Sequence, residues 1–192
     1  KDAIKAPFAV INSDDFYGRQ AIQTLGDYLK DLSPDSTEHA MVGYVLGNTM
    51  SHSGSVSRGV CTVENGYLKS INENKNIYYQ GEKIITEAPD GSKKEFTGKE
   101  WVSMNLFGFS QRVLDDFQPY WENFIATKAD TEKEECLLPI AVGHMLEHNY
   151  GKVKFFSSSE NWFGMTYTED RQIVRNEIAK KVEKGYYPER LY

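Results

Sequence analysis

Phe8-Ala9-Val10-Ile11-Asn12-Ser13-Asp14-Asp15 opens the stretch on which the fold turns. A short apolar, β-branched run that stops in polar residues reads as a buried strand meeting its carboxyl edge. From Gly18 to about Leu32, Ala21, Ile22, Leu25, Tyr28, Leu29 and Leu32 recur at helical spacing until Ser33-Pro34 stops the run. Ala40 to Leu46 then reads as a second buried strand. Strand, helix, strand predicts a right-handed crossover in a parallel or mixed sheet.

Downstream the pattern turns to hairpins. Gly59 to Val63 and Tyr67 to Ile71 flank Asn65-Gly66, a strong two-residue turn signal because both residues must take positive φ. Further short strands are expected around Ile77–Tyr79 and Ile84–Thr86, with a turn at Asp90-Gly91, and Trp101–Phe109 reads as a longer core strand. Ser110 caps a helix expected to run to about Thr127, with Val113, Leu114, Phe117, Trp121 and Phe124 as its buried stripe and Pro119 as a break. A second helix is expected from about Thr131 to His148, a strand over Val153–Ser157, and a last helix from about Thr168 to Lys184 ended by Gly185. The pattern predicts one α/β domain over residues 1–192, with a β-rich insertion.

Composition narrows the function. Lys+Arg number 22 and Asp+Glu 28, a net charge of −6 that argues against a nucleic-acid backbone as partner. No apolar run approaches the ~20 residues of a membrane helix. The two cysteines, Cys61 and Cys136, make neither a disulfide framework nor a metal knuckle, so a reducing, cytoplasmic setting is the simplest expectation.

Asp14 and Asp15 carry the best site signal. In open α/β sheets ligands bind beyond the carboxyl ends of strands, and adjacent carboxylates there can hold a divalent cation that keeps its waters and bridges to phosphates. The competing reading is a capped turn, where Asp and Asn bond their own backbone.

These residues resemble the sugar-phosphate nucleotidyltransferases. Phe8 to Gly18 is similar to the family's strand and metal-binding aspartate, with Asp14 at the matching position. Arg58-Gly59-Val60 resembles the aromatic-Gly-Val stretch whose glycine lets the backbone approach the sugar nucleotide. Glu73, seven residues after Gly66, falls at the glutamate of the Glu-Lys-Pro motif, which holds sugar hydroxyls. Ser103 to Phe109 is similar to the strand of the Asn-x-Gly-x-Tyr pattern, and Trp162 to Thr166 to the Trp-x-Asp-x-Gly segment. The matches keep their order along nearly the whole chain. They imply a Rossmann-like mixed sheet flanked by helices, of the nucleotide-diphospho-sugar transferase type. Asp14 would be the catalytic metal ligand with Asp15 beside it, and Gly59, Glu73, Ser103, Asn105 and Trp162 would contact substrate. Mg2+ is the implied cofactor, and a nucleoside triphosphate and a sugar phosphate the implied partners.

Departures accompany the matches. The family's Gly-rich loop with Arg and Pro is missing, so the resemblance implies a C-terminal portion of a longer enzyme, inactive alone. Gly164 stands where the family has a second metal-binding aspartate, Asn74-Lys75 follow Glu73 in place of Lys-Pro, and Ser103 and Asn105 replace the Asn and Gly of the strand pattern. Asp15 and Asp170 are the candidate replacements for the second aspartate. The implied reaction is attack of a phosphate oxygen on the α-phosphorus of a nucleoside triphosphate, with release of pyrophosphate. A metal-dependent glycosyltransferase using a nucleotide-sugar donor and a non-catalytic nucleotide- or sugar-binding module are the alternatives.

Other signals read as structure. His144-Met145-Leu146-Glu147-His148 is a literal inverted zinc-protease motif, yet it sits at a helix end and lacks a third ligand unless Glu160, Glu169 or Glu177 supplies one. Ser51 to Ser55 reads as a polar surface loop, Asp130 to Glu135 as a solvated helix start, and the segment from Tyr186 to Tyr192 as a tail docked on the core.

Overall fold

The computed structural model describes residues 3–51, 53–88, 90–127, 133–164 and 170–190. The first strand, β1 (Phe8–Val10), leads through a loop to helix α1 (Arg19–Lys30) and then to β2 (Glu38–Val45). A short 3-10 turn over Leu46–Thr49 precedes β3 (Val56–Glu64), which the Asn65-Gly66 turn joins to β4 (Tyr67–Gln80). Next come β5 (Lys83–Glu87), β6 (Lys93–Phe96) and β7 (Trp101–Phe109). Helices α2 (Val113–Asp116), α3 (Gln118–Thr127) and α4 (Leu138–Glu147) lead to β8 (Lys152–Ser158), and α5 (Asp170–Glu183) follows.

The crossover expected around α1 is present. Strands β1 and β2 both lie antiparallel to β7, one on each side of it, so they run parallel to each other. Strand β8 then pairs parallel to β2. The expected Rossmann-like sheet needs correction beyond this point. Strand β3 pairs with both β4 and β7, and β4 touches β8 at Tyr67 and Lys154, so β2, β7, β3, β4 and β8 close on themselves as a small barrel. Strand β4 makes this closure. At 14 residues it spans what the sequence pattern divides into two short strands, because the polar run Asn72 to Asn76 conceals its continuity.

Two apolar cores flank the sheet. Leu25 and Ala21 of α1 pack with Ala40, Val42, Tyr44, Val102, Met104 and Leu106 on one face. Met41, Phe107, Phe109, Val113, Val142, Met145 and Val153 form the other, beneath α2 and α4. Alternation along β2 and β7 feeds both layers, since successive strand residues point to opposite faces.

The helices also depart from expectation. Pro119 sits at the start of α3, so the expected single helix splits into α2 and α3. Trp121, expected in the buried stripe, is 52% exposed. Helix α4 begins at Leu138, and residues 133–137 are not helical, so the acidic segment is no helix start there; residues 128–132 lie outside the described residues. The tail docks as expected through Tyr187, whose ring is 6.1 Å from Phe16, while Leu191 and Tyr192 lie outside the described residues. Among the described residues no helix is long and apolar enough to cross a membrane.

Candidate functional site

The sheet assembles a cleft from distant parts of the chain. Register pairs Glu73 of β4 with Gly59 of β3, and Gly59 with Ser103 of β7, so the three stand in a row across adjacent strands. A side chain at position 59 would meet Ile71 Cδ1 at 3.0 Å and Glu73 Oε2 at 3.5 Å. Glycine there leaves the floor open beside the Glu73 carboxylate.

Asn105 reaches the same cleft through a defect in β7. The β2–β7 register slips between Met41 and Gly43, and on β7 the slip falls between Ser103 and Phe107. Asn105 within it takes φ 62°, the left-handed region that Asn tolerates better than most residues. Its amide N–H donates to Ser103 Oγ at 3.2 Å, and its side-chain amide donates to Asn12 Oδ1 at 3.4 Å. The left-handed backbone gives a physical reason for Gly in the resembled pattern and Asn here.

The loop after β1 brings the acidic pair. Asn12, Asp14 and Asp15 line the cleft with Ser57, Arg58, Gly59, Glu73, Ser103, Met104, Asn105, Leu137, Pro139 and Trp162. Every site residue expected from the sequence (Asp14, Asp15, Gly59, Glu73, Ser103, Asn105 and Trp162) is therefore on one wall or another of it. Its volume is about 280 Å³.

Asp15 is held firmly. Its Oδ2 accepts from the Asn12 side-chain amide at 2.8 Å and lies 3.3 Å from the Tyr17 hydroxyl, which donates to Met104 O at 2.7 Å. Burial raises its pKa above the ordinary carboxylate value, the Asn12 bond opposes that, and neighbouring Asp14 adds to it. A two-bond bridge between Phe16 and Phe163 sets this loop against the Trp162–Gly164 segment. There a Cβ on Gly164 would lie 2.2 Å from the Trp162 ring and 3.0 Å from Asp15 Oδ1. The aspartate of the resembled motif has no room here, because the indole fills its place. Asp170, the other candidate replacement, instead receives Ser51 and Ser53 hydroxyls at 3.5 and 3.3 Å, fastening the loop after the 3-10 turn to the start of α5.

Arg58 is the residue that sequence reading undervalued. Only 8% exposed, it donates from Nε to Thr49 Oγ1 at 3.1 Å and from its terminal nitrogens to the Ser57 and Thr49 carbonyls. Its guanidinium stacks 4.9 Å from the Trp162 ring centre. Burial lowers its pKa to about 10, with Asp15 and Glu73 opposing, so it stays charged at neutral pH. Burial likewise raises Glu73, with Arg58 and Lys75 opposing. A buried cation thus faces two half-buried carboxylates across the cleft. The only sequence signal for it is an arginine inside a β-branched strand.

Asp14 and Asp15 suit a magnesium ion as donors, since Mg2+ commonly takes one or two protein carboxylates and fills the remaining positions with water and phosphate. Among the described residues no three His, Cys, Asp or Glu side chains converge as a metal set. That removes the zinc-protease reading of His144 and His148 for Glu160 and Glu177; Glu169 lies outside the described residues. Both cysteines are free, and burial pushes the Cys61 thiol up to about 12, which makes it inert.

No family model matches the chain, and no curated protein matches it. Among solved structures the fold is similar to a protein named as a glucose-1-phosphate thymidylyltransferase from Bacillus anthracis, in complex with sucrose. The TM-score is 0.50 at 9% identity, and the match covers 91% of this chain and 55% of that one. The fold is nucleotidyltransferase-like. The chain spans about half the length of that neighbour.

Proposed function

We propose that the cleft is the acceptor side of a nucleotidyltransferase. It binds a phosphorylated small molecule, a sugar phosphate by preference, whose phosphate oxygen attacks the α-phosphorus of a nucleoside triphosphate and displaces pyrophosphate. The observation that carries the reading is the row Glu73–Gly59–Ser103 facing Asp14 and Asp15 in one cleft of a nucleotidyltransferase-like fold.

Glu73 accepts hydrogen bonds from sugar hydroxyls, Ser103 and Asn105 bind the neighbouring hydroxyls, and Gly59 permits close approach of the ring. Arg58 offsets part of the negative charge of Asp14, Asp15 and Glu73, which eases the approach of a phosphorylated ligand. Asp14 and Asp15 are the residues that would hold Mg2+, which when bound neutralises charge on the phosphates. The protein's share of catalysis is positioning and charge compensation, with no covalent step.

A non-catalytic binding module is the second reading, favoured by the indole of Trp162 filling the space beside Gly164. A pyrophosphate-release assay on the whole gene product, with nucleoside triphosphates and hexose 1-phosphates, separates the readings. Magnesium-dependent release that Asp14→Asn abolishes is the expected result. Saturable binding without pyrophosphate would favour the module, and nucleoside diphosphate released from a nucleotide sugar would point to glycosyl transfer.

A further inference from the structure

Sheet order gives the cleft a direction. Strands β4, β3, β7 and β1 are neighbours in that sequence, so Glu73 stands at one end of the row. The loop carrying Asp14 and Asp15 follows β1 at the other end. A phosphate held at the acidic end therefore turns the far side of its sugar toward Glu73. Beyond Glu73 a larger groove opens, of about 820 Å³, and Glu73 and Leu137 line both spaces. One wall of the groove is apolar, with Tyr120 and Phe124 of α3 and Ile140 of α4. The Tyr120 ring packs 5.3 Å from the His144 ring of α4, which fixes its orientation. The other wall is polar, with Asn74, Lys75 and Asn76 from the second half of β4. Lys75 and Asn76 are exposed, and Asn76 takes a left-handed φ of 55°. Four glutamates and four lysines line the groove, so their charges cancel. A polyanion or a polycation gains nothing from such a lining, whereas a neutral polyhydroxylated ligand uses both the carboxylate acceptors and the ammonium donors.

We propose that the groove binds a glycan extension of the acceptor, so that the phosphorylated sugar in the cleft is the end unit of a disaccharide or longer chain. This assignment rests on the acceptor reading of the cleft and names its substrate class more narrowly. The anomeric phosphate lies toward Asp14 and Asp15, and the glycosidic bond to the next unit leaves the opposite side of the ring past Glu73. Sugar rings carry hydroxyls around their rim and C–H groups on their faces. The rim meets Glu73, Asn74, Lys75 and Asn76, and a face lies against the Tyr120 ring, the mixture of apolar platform and few polar groups that ligand sites use. Glu73 stands at the junction of the two units, because it belongs to both spaces.

The test is calorimetric titration of the full chain, with magnesium present, by glucose 1-phosphate, maltose 1-phosphate and maltotriose. Maltose 1-phosphate is expected to bind at least roughly tenfold more tightly than glucose 1-phosphate. Tyr120→Ala and Asn76→Gly should each reduce that gain and leave the affinity for glucose 1-phosphate unchanged. Asn76→Gly keeps the left-handed backbone at an exposed position, so its result does not depend on the packing that Tyr120→Ala removes. Equal affinity for the two phosphates would overturn the glycan assignment while leaving the proposed reaction standing, and so would a gain that both variants retain. Maltotriose carries no phosphate and reads the groove separately. Its saturable binding, lost in Tyr120→Ala, in a chain that does not bind glucose 1-phosphate would remove the proposed reaction and keep the groove as a glycan site.

Discussion

At the scale of single residues, the site rests on backbone conformation and packed volume more than on charged groups alone. Asn105 holds a left-handed φ of 62° in the middle of a strand. Asn105→Gly is therefore expected to leave stability within about 0.5 kcal/mol while weakening sugar-phosphate binding, whereas Asn105→Val should cost about 1–2 kcal/mol in denaturant unfolding. Equal stability of the two variants would show that the positive φ imposes no constraint. Gly164 gives a second residue-level prediction. Because its Cβ direction points into the Trp162 ring at 2.2 Å, Gly164→Asp should lose about 1–3 kcal/mol and gain no magnesium affinity. A gain in affinity measured by calorimetry would mean that the indole yields and the missing carboxylate is restorable. Arg58→Met leaves half-buried Asp15 and Glu73 without their buried cation; a loss of about 3 kcal/mol by denaturant unfolding is expected.

Elements set how much of this was legible in the chain. The first strand, α1 and β2 declared themselves because their apolar residues repeat at strand and helix periods, and the Asn65-Gly66 hairpin because both residues take positive φ, 52° and 79°. Strand β4 did not, since one face of its second half is polar where it leaves the barrel for β5. Closure of the barrel depends on β3 meeting β7 some forty positions later, a pairing that no local pattern encodes. For the same reason the row Glu73–Gly59–Ser103 was visible only as separate motif matches. Trp121 was misplaced because α3 has an apolar residue on nearly every face, so periodicity could not say which one is buried. Glu160 fastens two elements: its carboxylate accepts from Ala21 N at 3.2 Å and from the Tyr186 hydroxyl at 3.0 Å. Removing it in Glu160→Ala should uncap the first turn of α1, lowering stability by about 1 kcal/mol and increasing amide exchange there.

Over the whole molecule, a buried histidine ties stability to acidity. His39 is fully buried on β2; its Nδ1 accepts from Ser110 N at 3.3 Å, and its Nε2 is 3.6 Å from Asp116 Oδ2. Burial, with help from Arg112, lowers its pKa to about 4 from an ordinary 6.5. The unfolded chain therefore takes up this proton at higher pH than the native one, so this contribution is intact above about 6.5 and is lost as pH falls toward 4. The melting temperature should drop across that window, and His39→Gln should flatten the drop. Asp116, raised by burial, works in the opposite sense and reduces the slope. A melting temperature flat from pH 7 to 4 in the parent chain would remove His39 from this role.

Calorimetric titration of the 192-residue chain with glucose 1-phosphate in the presence of magnesium probes the cleft most directly. Saturable binding that Glu73→Gln and Asp14→Asn each weaken at least roughly tenfold, about 1.4 kcal/mol, is the expected result. No binding by the folded chain, or binding that both substitutions leave unchanged, would contradict the assignment of this cleft to a sugar phosphate.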